Sequence, residues 1–133
     1  MNAKNIFILS LLILLSFFLI SINFIQSTLG PHGGIVKQAG KYNIEMKTNY
    51  PNMYTFLLDK NNKPMHNKGI LCEIIYFLPN KTQINYQLNY FGAEGFLLES
   101  GALNYSSCRI IFNVFGKTLS ADFKNENLIV QKK

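Results

Sequence analysis

Two histidines and four methionines are the side chains of this sequence best suited to hold a metal ion. Imidazole is a good ligand for Cu, Zn and Ni, and a thioether is a good ligand for Cu(I). His32, Met65 and His66 are therefore the candidate metal ligands, with copper or zinc as the candidate ion. A complete site requires His32 and His66 to converge, with Glu45, Met53 or Met65 as further ligands. The alternative is that these are ordinary exposed side chains.

Cys72 and Cys108 are a second candidate pair. Cys72 lies on the apolar face of the predicted strand 70–78, and Cys108 directly precedes the predicted strand 109–115 in phase with its apolar face, so both are expected to point inward. In an oxidising compartment two such cysteines can form a disulfide, and closing a loop of about 37 residues is worth roughly 3.8 kcal/mol in the chain-entropy model. Two buried thiols, or a soft-metal or redox site, are the alternatives. No C-x-x-C spacing supports the metal or redox alternative.

Catalytic motifs are absent from the sequence. There is no G-x-S-x-G, no H-E-x-x-H and no glycine loop of the kind that binds phosphate. We therefore expect that the protein is not an enzyme. The formal net charge is +6, but the lysines are scattered singly and do not alternate with aromatic residues. This pattern does not favour nucleic-acid binding.

Residues 1–27 are predicted to be an export segment. Lys4 precedes an almost unbroken apolar run from Ile6 to Ile22. A positive start followed by an apolar stretch is typical of a secretory signal peptide, and we place the cleavage after Ser27. The run also approaches the length of about 20 residues that crosses a bilayer, so an uncleaved membrane anchor is the alternative. Both alternatives predict an exported protein, either periplasmic or anchored in the inner membrane and facing outward.

Residues 28–133 are predicted to form one domain of roughly 106 residues. Hydrophobic residues at 48% and aromatic residues at 14% exclude a disordered chain. Clean period-two alternation marks half-buried strands at 42–47, 82–90 and 118–123, and more uniformly apolar segments mark central strands at 53–58, 70–78 and 109–115. With turn residues between them, these segments predict an all-β, antiparallel β-sandwich with Ig-like or Greek-key connections. About seven strands are expected, preceded by the N-terminal apolar helix.

The segments 32–36 and 42–45 carry a resemblance to a known family. Their H-G-G-I-V and Y-N-I-E sequences resemble the H-G-G start and the Y-x-(I/L/F)-E strand of small exported bacterial proteins associated with heavy-metal efflux systems. The segment 59–64 is similar to that family's D-x-x-G-K-P turn, with Asn62 where glycine is usual, and 112–117 fits its final hairpin. Members commonly carry a histidine-rich stretch before H-G-G, and this chain has only His32 there.

The resemblance implies a non-catalytic periplasmic or envelope protein that is accessory to heavy-metal handling of the copper type. We expect weak metal binding through the candidate ligands and a metal-efflux or other envelope complex as partner. Contact with the membrane is expected through the N-terminal segment if that segment stays uncleaved. The alternative is a structural or protein-interaction module of the envelope without a metal site. Tyr50, Tyr54 and Phe91 are then the expected anchors.

Overall fold

A computed structural model describes residues 2–21, 29–99 and 104–125 of the 133-residue chain. These residues form one α-helix, nine β-strands and a short 3₁₀ helix at Gly92–Glu94. The helix, α1, spans Ala3–Ser21. The strands are β1 (Ile35–Ala39), β2 (Tyr42–Asn49), β3 (Asn52–Leu58), β4 (Ile70–Phe77), β5 (Gln83–Gln87), β6 (Asn89–Tyr90), β7 (Phe96–Leu98), β8 (Ser107–Val114) and β9 (Lys117–Lys124).

The strands form two antiparallel sheets. One has five strands in the order β1-β2-β3-β7-β6, and the other has four in the order β5-β4-β8-β9. One buried hydrophobic cluster draws on both sheets, which makes the architecture sandwich-like. The predicted all-β class is therefore confirmed, but the described residues contain nine strands where about seven were expected. The predicted cleavage after Ser27 lies outside the described residues.

Alternation along the strands decides which side chains enter the core. Ile44 and Met46 of β2 are buried, as are Ile110 and Phe112 of β8. Successive side chains of a strand point to opposite faces, so these pairs lie on the same, inner face of their sheets. The inward faces predicted from the sequence are confirmed for these strands.

The single strand predicted over 82–90 is wrong. The chain pairs with β4 as β5, crosses to the other sheet, and pairs with β7 as β6. Leu88 lies at the crossing, is 4% exposed, and donates its backbone N–H to the carbonyl of Cys72 over 2.9 Å. Because its side chain enters the core between the sheets, the hydrophobic alternation continues through the point where the ladder is interrupted. Alternation alone therefore does not reveal the break.

The turn after β3 has a backbone conformation that suits asparagine at position 62. Asn62 has a φ of 60°, in the left-handed region that glycine prefers and that asparagine tolerates better than most residues. Asp59 Oδ1 accepts the backbone N–H groups of Asn61 and Lys63, which fixes the turn. Asparagine can therefore occupy this position at little conformational cost.

The predicted disulfide between Cys72 and Cys108 is wrong, because both cysteines are free and buried. The two cysteines lie on adjacent strands, but the register pairs Cys72 with Phe112 and Cys108 with Tyr76. Four ladder positions thus separate them, or about 13 Å at roughly 3.3 Å per residue. A disulfide needs Cα atoms within about 7 Å, so this register prevents the bond.

The N-terminal helix α1 exposes large apolar side chains, among them Phe7 at 71% and Leu14 at 67%. Over the described residues, we find no helix whose length and apolar character are sufficient to cross a membrane. The signal peptide and the membrane anchor both stay predictions.

Candidate functional site

The candidate site is built around the carboxylate of Glu45 in β2. Alternation places this side chain on the outer face of the five-stranded sheet, yet it is 0% exposed. The segment 29–34 folds over it and supplies three hydrogen bonds or ion-pair contacts. Glu45 Oε1 accepts the backbone N–H groups of His32 at 2.9 Å and Gly34 at 2.8 Å. Glu45 Oε2 lies 2.7 Å from His32 Nδ1.

The imidazole of His32 is held on two sides. Its ring stacks on the ring of Phe56, with centroids 3.5 Å apart and planes 6° from parallel. Phe56 is the ladder partner of Glu45, so the adjacent strands β2 and β3 supply both contacts. The His32 side chain stays 25% exposed. When Nδ1–H of the neutral ring donates a hydrogen bond to the Glu45 carboxylate, Nε2 carries the lone pair that can bind an ion.

Three glycines around His32 have separate roles. A Cβ on Gly30 would lie 2.3 Å from the Glu45 carboxyl carbon, and a Cβ on Gly34 would lie 2.5 Å from the backbone oxygen of Met46. Gly33 has open space around it but a φ of +80°, which side-chain-bearing residues rarely adopt. Two of the glycines therefore allow close approach to β2, and the third allows the turn that brings His32 over the sheet.

A surface concavity of about 410 Å³ lies beside the His32 ring. It is lined by His32, Lys47, Asn49, Tyr54, Phe56 and Ala93. Among the residues that the structure describes, the lining contains one ammonium group and no carboxylate, because Glu45 is buried beneath the ring. A metal cation entering here meets repulsion from Lys47, which favours weak over tight cation binding.

A second concavity of about 340 Å³ has Met46 and Tyr105 in its lining and shares Lys47 with the first. Behind Met46, the Sγ of Cys108 lies 3.6 Å from Met46 Sδ. Burial raises the pKa of the Cys108 thiol to about 12, with a further contribution from Asp122. Burial likewise raises the pKa of Tyr105 to about 12. These groups stay protonated near neutral pH, so neither is an activated nucleophile.

The structure does not assemble the predicted ligand set. Among residues 2–21, 29–99 and 104–125, no group of three His, Cys, Asp or Glu side chains could hold a metal ion, so His66 does not join His32 and Glu45 in such a group. Met65 packs partly buried against the core and donates its backbone N–H to Leu57, while His66 is exposed. Met53 is a core residue at 3% exposure. His32 with Glu45 is the part of the predicted set that comes together.

Sequence reasoning missed the role of Phe56 and the burial of Glu45. A signal for Phe56 was present, because β3 was predicted as a uniformly apolar strand and such a strand is buried on both faces. The outer face of β3 therefore requires another segment of the chain to cover it, and the His32 ring is part of that cover. Glu45 gave no such signal, since a glutamate at an outward position is normally solvated.

No family model, no curated protein and no solved structure matches this chain. The comparisons therefore supply no function. The resemblance to exported H-G-G proteins stays a prediction.

Proposed function

We propose that this chain is a non-catalytic protein of the cell envelope, accessory to heavy-metal handling, which binds a copper-type ion weakly through His32. The observation that carries the proposal is the contact between His32 Nδ1 and Glu45 Oε2 at 2.7 Å. Histidines that bind metals usually donate their other ring N–H to a carboxylate or carbonyl, which fixes the ring and raises its basicity. His32 is partly exposed and stacked on Phe56, so it is oriented before any ion arrives.

The proposal is limited to weak binding for two reasons. One oriented imidazole supplies one ligand, whereas tight sites for zinc use three or four protein ligands. Lys47 also lines the concavity beside the ring and opposes a positive charge there. Such a protein would receive and release an ion readily, as suits an accessory role beside an efflux complex. Export to the periplasm or the outer side of the inner membrane, and Ig-like or Greek-key connections between the sheets, are parts of the same proposal.

Metal titration of the full chain tests this proposal. Cu(II), Cu(I) and Zn(II) are each titrated by calorimetry into the wild type and into His32→Ala and His66→Ala. We expect one site with a dissociation constant tighter than about 10 μM for a copper ion. His32→Ala should abolish it, whereas His66→Ala, which removes an exposed imidazole, should leave it unchanged. No binding tighter than about 10 μM in the wild type would reject the metal function.

A protein-interaction module of the envelope is the second candidate function. Tyr50 is 63% exposed and Phe91 is 46% exposed, and Tyr54 lines the concavity beside His32. Exposed aromatic side chains are common anchors of protein interfaces. A partner whose affinity for the chain survives His32→Ala and His66→Ala but falls with Tyr50→Ala would favour this function over the metal function.

A further inference from the structure

The β8–β9 hairpin holds a phenylalanine in an unfavourable backbone conformation. Its two turn residues, Phe115 and Gly116, have φ angles of 50° and 86°. Both angles are positive, as in the type I′ hairpin turn, in which Asn-Gly is the preferred pair. A bulky residue with a positive φ is an outlier, and such residues often mark a functional position. The Phe115 side chain is nevertheless 70% exposed, so burial of its ring in the core does not offset the cost.

Several loops meet at the end of the sandwich where Phe115 lies. A Cβ on Gly69, which directly precedes β4, would lie 3.2 Å from the Phe115 ring. A Cβ on Gly40, in the β1–β2 turn, would lie 3.5 Å from Leu119 near the start of β9. The turn after β3 is tied to the same end because Asn43 Nδ2, at the start of β2, donates to the Asn62 side chain over 2.7 Å.

These loops carry a concentration of positive charge, which we call the lysine end. Its members are Lys41, Lys60, Lys63, Lys68 and Lys117, which are all exposed, together with Phe115. The turns at 40–41, 59–63, 67–69 and 115–117 contain a single acid, Asp59. One carboxylate oxygen of Asp59 is occupied by two backbone N–H groups of its own turn. The lysine end is therefore a basic surface with an apolar ring protruding from it.

We propose that the lysine end docks on the surface of an anionic lipid bilayer, with Phe115 inserting among the headgroups. Lysines near an anionic membrane surface are each attracted to it, and an aromatic ring beside them adds apolar burial at the headgroup boundary. Docking through lysines and an inserted ring accounts for an exposed phenylalanine at position 115, where asparagine would adopt the positive φ at a lower conformational cost. The residues 29–34 and the His32 site precede β1 and lie toward its opposite end, so the docking surface is separate from the proposed metal site.

A bilayer fits these observations better than a nucleic acid does. Nucleic-acid surfaces combine basic residues with several aromatic rings that stack on bases, and often use arginine. The one arginine, Arg109, lies within β8 and forms an ion pair with Asp122 rather than joining the lysine end. A single apolar ring surrounded by lysines matches an apolar phase bordered by anionic headgroups.

Vesicle binding by the full chain tests the proposal. Partition constants are measured for vesicles of phosphatidylcholine and for vesicles in which part of that lipid is replaced by phosphatidylglycerol. The lipid concentration is chosen so that about half of the wild-type chain stays unbound to the neutral vesicles. Because α1 is the same in every variant, the ratio of the two constants isolates the contribution of anionic lipid. We expect a ratio well above one that falls toward one as salt is added.

Two charge variants with equal loss of charge decide where the attraction acts. The double variant Lys68→Gln, Lys117→Gln should reduce the ratio about 25-fold, since each lysine near the surface contributes roughly fivefold. The control Lys81→Gln, Lys124→Gln removes two exposed lysines outside the lysine end and should change the ratio little. Equal effects of the two variants would mean that net charge alone drives binding, which overturns the proposal.

The variant Phe115→Asn separates the docking role from folding. Asn-Gly is the preferred type I′ pair, so the thermal midpoint should rise or stay unchanged. Binding to the anionic vesicles should fall on the order of tenfold as the apolar ring is lost. Unchanged vesicle binding would overturn the proposal. Binding to soluble polyglutamate or duplex DNA as strong as to the anionic vesicles would also overturn it, by assigning the lysine end to polyanions in general.

Discussion

His32 Nδ1 lies 2.7 Å from Glu45 Oε2, and the other oxygen of the same carboxylate accepts the backbone N–H groups of His32 and Gly34. The histidine and the glutamate of the H-G-G…Y-x-I-E pattern are thus one structural unit, closed across 13 positions of the chain. The first role of this unit is structural, because it connects the start of the domain to β2. Any role of His32 toward a ligand depends on it.

Loss of the Glu45 carboxylate should destabilise the fold. Glu45→Ala leaves the buried N–H of Gly34 and the partly buried N–H of His32 without an acceptor, and we expect the free energy of unfolding to fall by about 3 kcal/mol. Glu45→Gln keeps an oxygen acceptor but loses the charge, so a smaller loss of about 1–2 kcal/mol is expected. Urea unfolding of the full chain measures both. A loss below about 0.5 kcal/mol for Glu45→Ala would show that the carboxylate does not hold the segment 29–34 in place.

The glycines around His32 should differ in their tolerance to alanine. Gly34→Ala places a Cβ 2.5 Å from the Met46 backbone oxygen, which forces β1 and β2 apart, and should cost about 3 kcal/mol. Gly33→Ala meets no neighbour but must adopt a φ of +80°, and should cost about 1 kcal/mol. The same urea experiment ranks them. A greater loss for Gly33→Ala than for Gly34→Ala would contradict the described path of the segment.

Much of the sandwich follows from local pattern in the sequence. The inward positions Ile44, Cys72 and Phe112 were predictable because side-chain direction in a strand alternates with period two. The hairpin between β4 and β5 was predictable from Pro79-Asn80-Lys81, where Lys81 has a φ of 66° and Asn80 accepts from Thr82. These features depend on neighbours a few residues apart.

Features that depend on distant segments were not predictable in the same way. Glu45 is buried because residues 29–34 fold back over it, and period-two alternation reports only on the strand itself. Whether the two cysteines can form a disulfide depends on strand register. Both side chains face inward whether their positions are aligned across the two strands or offset by four residues. A slip of four residues keeps every side chain on its face and separates the two thiols. These features arise from contacts between residues that are far apart in the sequence, and no local pattern indicates them.

The two cysteines should be protected in the folded protein. Iodoacetamide at pH 8 should modify neither Cys72 nor Cys108 in the native chain and both in urea, because both are buried and burial raises the pKa of each thiol. Mass spectrometry without reductant counts the added groups. A chain that takes up no label in urea until it is reduced would contain the disulfide that the structure excludes.

Alkaline pH should weaken the fold through the same thiols. The pKa of Cys108 rises from 9.0 to about 12 on folding, so the unfolded chain loses its thiol proton first. The stabilising contribution is complete below pH 9 and disappears as pH rises toward 12. The free energy of unfolding should therefore decline over this range, and the decline should be shallower in Cys108→Ala. Equal slopes for the two proteins would contradict the assignment to Cys108.

The ion pair between Arg109 and Asp122 should stabilise the folded state at neutral pH, and this contribution should be lost in acid rather than in alkali. Arg109 Nε lies 2.7 Å from Asp122 Oδ1, and this hydrogen bond lowers the pKa of Asp122 below 3.8. A carboxyl with a lowered pKa stabilises the folded state at neutral pH, and the contribution is lost as pH falls through that lowered value. Because the Asp122 side chain is 60% exposed, the effect should be small and should shrink with salt.

Carbon NMR of the Asp122 carboxyl, recorded between pH 7 and pH 2, measures this pKa directly. In the wild type the midpoint should lie below 3.8, and in Arg109→Gln it should return toward 3.8 because the bidentate guanidinium contact is gone. Lys81→Gln removes a charge elsewhere on the surface and should leave the midpoint where it is. Midpoints that agree between the wild type and Arg109→Gln would show that the ion pair does not persist in solution.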